Sequence, residues 1–400
     1  MYIATAGSNN TNTHTALTES IEQLSAQISQ PEMLLVYFTI SHDSEQVKQV
    51  IQASFPDAQI LGCTSCQGAM CDAGFYPENA LVLWAVEDKN GAYGTAVTNG
   101  TYNSAYSDAQ ECIKSAIESS QRKGELPALV LLHATPGHEE GVIAGIQSII
   151  GPSVPIVGGS AADNKVRGDW SIFANDKCIN HGISIAVFYP SCEVSLSFHS
   201  GYASTGTSAI ATKVEGREII ELDGRPAAEL YQGWLKSVGS EAKSDDDFFS
   251  LASMNPLGRV AGEINGTAYF KLSHPYGVTP RQGIKLFSYI EQSDRVYFMA
   301  GTRERLIKRA GRVIDSAMEL SSQQYINPIG GIAIYCAGCM LQVKESMPDV
   351  RGFMYNAMHQ KPFSCAFTYG EQGQFLGGEN AHGNLMISAV LFYSETVSAS

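Results

Sequence analysis

Two Cys-x-x-Cys pairs, Cys63/Cys66 and Cys336/Cys339, carry the most obvious chemistry in this 400-residue sequence. Thiolates at that spacing can chelate one ion, so the two pairs together could build a tetrahedral zinc site, hold a cluster or form a redox switch. Cys71 lies close to the first pair. Shared ligation requires two turns far apart in the sequence to meet. The alternative is that Cys63 and Cys336 merely fill tight turns, since buried free cysteines behave as inert small hydrophobes. Among nine histidines, His42 and His138 each follow a strand, His274 precedes Pro275, and His382 opens a His-Gly-Asn turn. A neutral imidazole at a pocket wall can ligate iron; on a solvated loop it only caps or meets water. Arg305, Lys308, Arg309 and Arg312 recur at helical spacing as a basic stripe. Such a stripe either pairs with carboxylates or forms the wet face of an amphipathic helix, and the sequence favours the wet face.

Signatures of catalysis are missing from the sequence. It contains no Walker loop, no HExxH, no EF-hand loop and no GxSxG. Asp245, Asp246 and Asp247 are consecutive, so their side chains diverge; they read as a solvated acidic loop. Glu371, in Tyr369-Gly370-Glu371, has no nucleophile or base tied to it. The sequence predicts a binding protein, not an enzyme, with no catalytic residues.

The elements that must position these groups repeat. One strand–helix–strand unit runs from Leu34 to Ser65 and a second from Val130 to Ala161, each ending in a tight turn of small residues. Laid over each other without a gap, His42 meets His138, Pro56 meets Pro152, Ile60 meets Ile156 and Gly62 meets Gly158. Asp43 with Gln46 forms a capping-box pattern, and Val47, Val50 and Ile51 mark the buried face of the helix that follows. A looser third unit runs from Gly331 through a helix near Met347–Met358 to the strand PFSCAFTYGE. Leu17, Ile21, Leu24 and Ile28 predict an opening amphipathic helix, and a long helix is predicted from about Arg303 to Leu320. The Gly/Ser/Thr-rich stretch His199–Ser208 reads as a domain boundary. An α/β layer presents its loops together at one edge, so a repeated unit of this kind is a ligand-holding scaffold.

Composition sets limits. Hydrophobic residues make up 44% and charged residues 16%, a globular balance sufficient for two or three domains. A formal charge of −14 leaves no excess of Lys and Arg to displace counterions from phosphates, which excludes a nucleic-acid binder. No stretch is apolar enough for a membrane span, and the first residues lack the basic-then-apolar pattern of an export signal. Nine cysteines, an odd number spread through apolar strands, suit reduced thiols in a cytoplasm.

Five motifs resemble those of the FIST family. The turn LGCTSCQG is similar to the Gly-Cys-Ser-Ser/Thr-x-Gly turn of the FIST amino-terminal domain, and VGGSAADN to that domain's second glycine turn. VEGREIIELDGRPAAELYQGWL resembles the opening of the FIST carboxy-terminal domain, and IYCAGC, FTYGEQG and NAHGNL its later motifs. Gln67 stands where a glycine is usual, Ala162 stands in the second glycine turn, and Cys339 replaces the usual arginine, an anion-binding group. The resemblance implies a sensory module of bacterial signal transduction that binds a small ligand. It works beside histidine kinases, chemoreceptors or cyclic-di-GMP enzymes. Free-standing two-domain members resemble the nitric-oxide-sensing haemoproteins of the NosP type, which regulate a partner histidine kinase.

The expectations are therefore an α/β fold of two domains, residues 1–205 and 206–400. Their mixed β-sheets come from repeated strand–helix–strand units, with the ligand site near the inter-domain loops that carry Cys63, Ser160, Cys336 and Thr368. Function is expected to be haem-based sensing of nitric oxide; the alternative is a haem-free module for an amino acid or similar metabolite. His138 is the first choice of axial ligand, because its turn enters a helix leading to the GGSA turn. His382, His274 and His42 follow. Zinc is assigned to Cys63, Cys66, Cys336 and Cys339. The protein is expected in the cytoplasm, with a homo-oligomeric state compatible with the sequence.

Overall fold

One plan of strand, helix, strand, helix, strand, hairpin and strand is used three times in the computed structural model, which describes residues 1–101, 104–175, 177–241, 244–264, 266–322 and 327–394. In the first unit the two parallel strands are Met33–Phe38 and Gln59–Thr64, joined by the helix Ser44–Ser54. The second pairs Leu129–Ala134 with Ile156–Ser160 through the helix Glu139–Ile150. The third pairs Pro328–Cys336 with Phe363–Thr368 through the helices Ala337–Gln342 and Met347–Ala357. Two further antiparallel strands complete each sheet on the side of its first parallel strand. The α/β class, the mixed sheets and the looser third unit all match the sequence reading. No helix among the described residues is long and apolar enough to cross a membrane.

The hairpins change hands. The hairpin that follows Thr64, Gly68–Cys71 with Gly74–Pro77, joins the third sheet, where Ala69 to Cys71 lie opposite Ser364 to Ala366. The second unit's hairpin, Ile172–Ala174 with Lys177–Ile179, joins the first sheet at Leu61 to Cys63. The third unit's hairpin, Glu371–Gln374 with Asn380–Gly383, joins the second sheet at Gly158 and Gly159. Three six-stranded sheets thereby close a ring in which every unit completes its neighbour.

Strand alternation explains the layering. Leu35, Tyr37 and Trp84 of the first sheet face a central core shared with Leu131, Val157 and Phe188 of the second and Ile332, Ile334 and Phe392 of the third. The intervening residues Leu34, Val36 and Phe38 point outward, under the helices that supply Leu17, Leu24, Val47 and Ile51. With both faces buried, the strands read as unbroken apolar runs. The outer faces of the other two sheets are covered the same way, by Ile113 and Ile146 in one case and Leu306, Val313 and Met354 in the other.

Between the strand Val194–Ser200 and the helix Arg303–Glu319 the chain builds an antiparallel module with its own core of Tyr231, Trp234, Phe248 and Phe298. The stretch read as a domain boundary lies largely in the strands Val194–Ser200 and Ala203–Glu215; its small residues fit a break in register between Ser204 and Ser208, where Gly206 has φ +86°. Two expectations are corrected here. The run Asp245–Asp247 opens a helix, Asp245–Met254, with Ser244 accepting from the Asp247 N–H as its cap. The strand Tyr2–Ser8 precedes the first helix, paired along its length with Leu81–Glu87.

Candidate functional site

Ligand sites in α/β sheets form beyond the carboxyl ends of parallel strands. The ring supplies three such edges, each closed by the visiting hairpin. The second edge concentrates polar groups. Glu139, at the first turn of its helix, is buried; its Oε1 accepts from Ser160 Oγ at 2.8 Å, and the Gly137 N–H points at both oxygens at 3.1 Å. Arg217, on the turn between the strands Ala203–Glu215 and Glu218–Leu222, reaches over from the inserted module. Its Nη2 donates to Glu139 Oε2 at 2.6 Å and to Glu140 Oε2 at 2.5 Å. The visiting hairpin contributes Gln372 and His382. Gln372 Nε2 lies 3.2 Å from His382 Nδ1, and His382 Nε2 lies 4.0 Å from Glu139 Oε2.

Electrostatics fix the ionic state of this cluster. Burial alone raises the Glu139 carboxyl, but His382 and Arg217 outweigh it and hold the group down at about 2. Burial lowers Arg217, and the two glutamates more than reverse that. Beside the cluster a cleft of about 400 Å³ separates the helix Glu139–Ile150 from the inserted module, with His382 on its wall. Lys271 also lines it. Only 9% exposed, Lys271 donates to the Tyr289 carbonyl at 3.2 Å and makes no ion pair among the described residues. Burial and the neighbouring Arg259 both lower its ammonium.

At the third edge the chemistry is quieter. Burial, then the Cys336 thiol, pushes the Glu371 carboxyl well above its ordinary value, and it accepts from Thr368 Oγ1 and the Met386 N–H. Cys66 Sγ lies 3.9 Å from Tyr369 Oη, and Cys339 Sγ lies 3.6 Å from Tyr202 Oη. Burial pushes Cys66 up to about 12 and Cys336 well above the ordinary thiol. Thiols in this state are poor nucleophiles and poor ligands. The two Cys-x-x-Cys turns do approach each other, but not as a four-sulfur centre. Cys66, Cys336 and Cys339 belong to the core under the third sheet, whereas Cys63 faces the central core, its Sγ against the Thr64 carbonyl at 3.3 Å. Strand alternation separates them. Among the described residues no three His, Cys, Asp or Glu side chains are arranged to hold a metal ion.

Of the four histidines, only His382 enters the polar cluster. His138 is exposed, next to a cavity of about 20 Å³. His42 is buried with Nδ1 3.2 Å from Thr13 Oγ1 and Nε2 2.9 Å from the Asn79 carbonyl, so neither nitrogen offers a lone pair. His274 is enclosed by Phe249 and Phe287, and its Nε2 faces Ser253 Oγ at 3.2 Å. A larger cavity, about 740 Å³, lies elsewhere, between the helix Arg303–Glu319 and the inserted module. The histidine on its wall is His199. Sequence reasoning missed Glu139, Arg217, Lys271 and His199; Glu139 follows His138 directly, and the histidine took the attention.

Residues 32–225 match the model of the FIST N domain, and residues 227–374 that of the FIST C domain. A Methanocaldococcus jannaschii protein described as "Uncharacterized protein MJ1623" is 26% identical over 140 residues, 35% of this chain; the match spans a quarter of that protein's length. Among solved structures, cyanuric acid hydrolase from A. caulinodans aligns over 98% of this chain and 99% of its own, at a TM-score of 0.36 and 9% identity. PurLQS from Thermotoga maritima aligns over 76% and 73%, at a TM-score of 0.22 and 11% identity. Both TM-scores are too low to argue from.

Proposed function

Given that the chain belongs to the FIST family, whose domains are small-molecule sensors of signal transduction, we propose that its second strand edge holds a zwitterionic metabolite, an amino acid or a close analogue. Lys271 carries this reading. A buried ammonium bonded to a single carbonyl is under-satisfied, and a ligand carboxylate in the cleft would complete it. Asp294 and Glu291, on the same cleft, offer charges of the sign that an α-ammonium needs. Glu139 and Arg217 take no part in binding. They tie the second unit to the inserted module, so that closing the cleft on a ligand bears on the contact between the two. The output is control of a signalling partner, a histidine kinase or a cyclic-di-GMP enzyme.

Thermal unfolding with single amino acids tests the reading. A ligand at a hundred times its Kd adds about 2.7 kcal/mol to stability. One or a few amino acids should raise the unfolding temperature, and Lys271→Met should remove the effect. No shift with any amino acid overturns the proposal.

Haem-based sensing of nitric oxide was the expectation from resemblance, and the four histidines named for it do not fit haem. His42 has no free nitrogen, His274 is enclosed by rings, His138 adjoins a cavity of about 20 Å³, and His382 is buried with its Nε2 facing the Glu139 carboxylate at 4.0 Å. The absorption spectrum discriminates the readings. A Soret band that shifts with nitric oxide overturns the haem-free reading and makes His199 the residue to replace.

A further inference from the structure

The basic stripe is not only a wet helix face. Arg305, Lys308, Arg309 and Arg312 all line the cavity of about 740 Å³, opposite the strand Thr267–Ser273. Lys308 is bonded to Glu304, the one carboxylate on the cavity wall. Arg305, Arg309 and Arg312 make no ion pair among the described residues, so their charges face the cavity without a carboxylate partner. Arg309 is half-buried, with its Nε lacking a partner. On a chain of net charge −14, three unpaired guanidinium groups at one cavity are a local field of the opposite sign. Four aromatic side chains, Tyr202, Tyr269, Phe270 and Phe375, share the wall with small and hydroxyl-bearing residues, and the His199 ring lies 5.0 Å from that of Tyr269.

We propose that this cavity is a second ligand site, for a small organic phosphate with a flat unsaturated body, of the nucleoside phosphate class. Guanidinium forks match phosphate oxygens two at a time, and a planar ring has aromatic and guanidinium faces to lie on. The volume suits a ligand of that size. The site lies where the inserted module meets the third unit, apart from the amino-acid cleft, and stands or falls independently of it.

Calorimetric titration of the full chain with ATP, tripolyphosphate and adenosine tests this. ATP should bind one per chain, more tightly than either of its parts. Arg305→Gln/Arg312→Gln changes two exposed side chains and should leave the fold intact by circular dichroism while weakening ATP at least about tenfold. Arg309→Gln should weaken it further. Arg225→Gln, at a distant pair, and Lys271→Met, in the other cleft, should leave ATP binding unchanged. Failure of ATP to bind, adenosine or tripolyphosphate binding as tightly as ATP, or indifference to the paired substitution overturns the proposal.

Discussion

Replacing Glu139 by glutamine probes the clamp between the second unit and the inserted module. The carboxyl sits at about 2 in the folded chain against an ordinary 4.5. At roughly 1.4 kcal/mol per pKa unit that gap amounts to about 3 kcal/mol of stability supplied by the ionised form. Because the folded value lies below the unfolded one, the contribution is complete above about pH 4.5 and fades as the pH falls toward 2. Glutamine keeps the shape and can still accept from Ser160 Oγ and the Gly137 N–H, so the loss reports charge, not packing. Arg217 retains Glu140, which puts the cost toward the lower end of the roughly 3–5 kcal/mol typical of a broken buried pair. Urea unfolding should therefore show Glu139→Gln destabilised by about 3 kcal/mol at pH 7, with the deficit narrowing below pH 4.5. In a double-mutant cycle, Glu139→Gln/Arg217→Met should cost less than the two single changes added. A deficit below about 1 kcal/mol at pH 7, or one that does not narrow in acid, would refute the assignment of an ionised, clamped Glu139.

Gly158→Ala should destabilise the protein by about 3 kcal/mol, because the new Cβ would stand 1.8 Å from the Leu132 carbonyl oxygen, a backbone atom that cannot swing aside. Gly141→Ala, in the helix Glu139–Ile150 with its nearest neighbour at 3.6 Å, should instead add about 0.5–1 kcal/mol; thermal unfolding of the pair checks both signs. His133 and His274 are lowered by burial to about 4, so the folded chain refuses protons that the unfolded chain takes up below about 6.5. Each should cost about 2 kcal/mol on moving from pH 7 to pH 5, and equal urea midpoints at the two pH values would contradict this. Only Cys178 and Cys192 of the nine cysteines are not fully buried, so a thiol reagent should count at most two fast sites in native protein and nine after denaturation.

The parallel strands were legible because residues buried on both faces leave unbroken apolar runs between turn residues, as from Leu34 to Phe38 and from Leu129 to Leu132. The exchanged hairpins were not. Ile172–Ala174 is three residues long and Gly68–Cys71 four, too short for a period, and their partners lie far away in sequence. Helical spacing put Arg305, Lys308, Arg309 and Arg312 on one face, but it says nothing of what stands opposite that face, here the strand Thr267–Ser273. Glu139 looked like an ordinary acidic residue of a first helical turn, since its partner Arg217 arrives from the other half of the chain.

The ring of borrowed hairpins also bears on how the chain is made. Until residues 172–174 leave the ribosome, the strand Gln59–Thr64 is an open edge, and the hairpin at Gly68–Cys71 has no sheet to join until Phe363–Thr368 exists. Nearly the whole polypeptide must therefore be synthesised before the first unit is finished, a topology of high contact order in which nascent edges stay exposed for long periods. The family boundary between residues 225 and 227 is thus no cutting point. A translated half would carry several unmet strand edges and a homeless hairpin, whose partners lie in the other half.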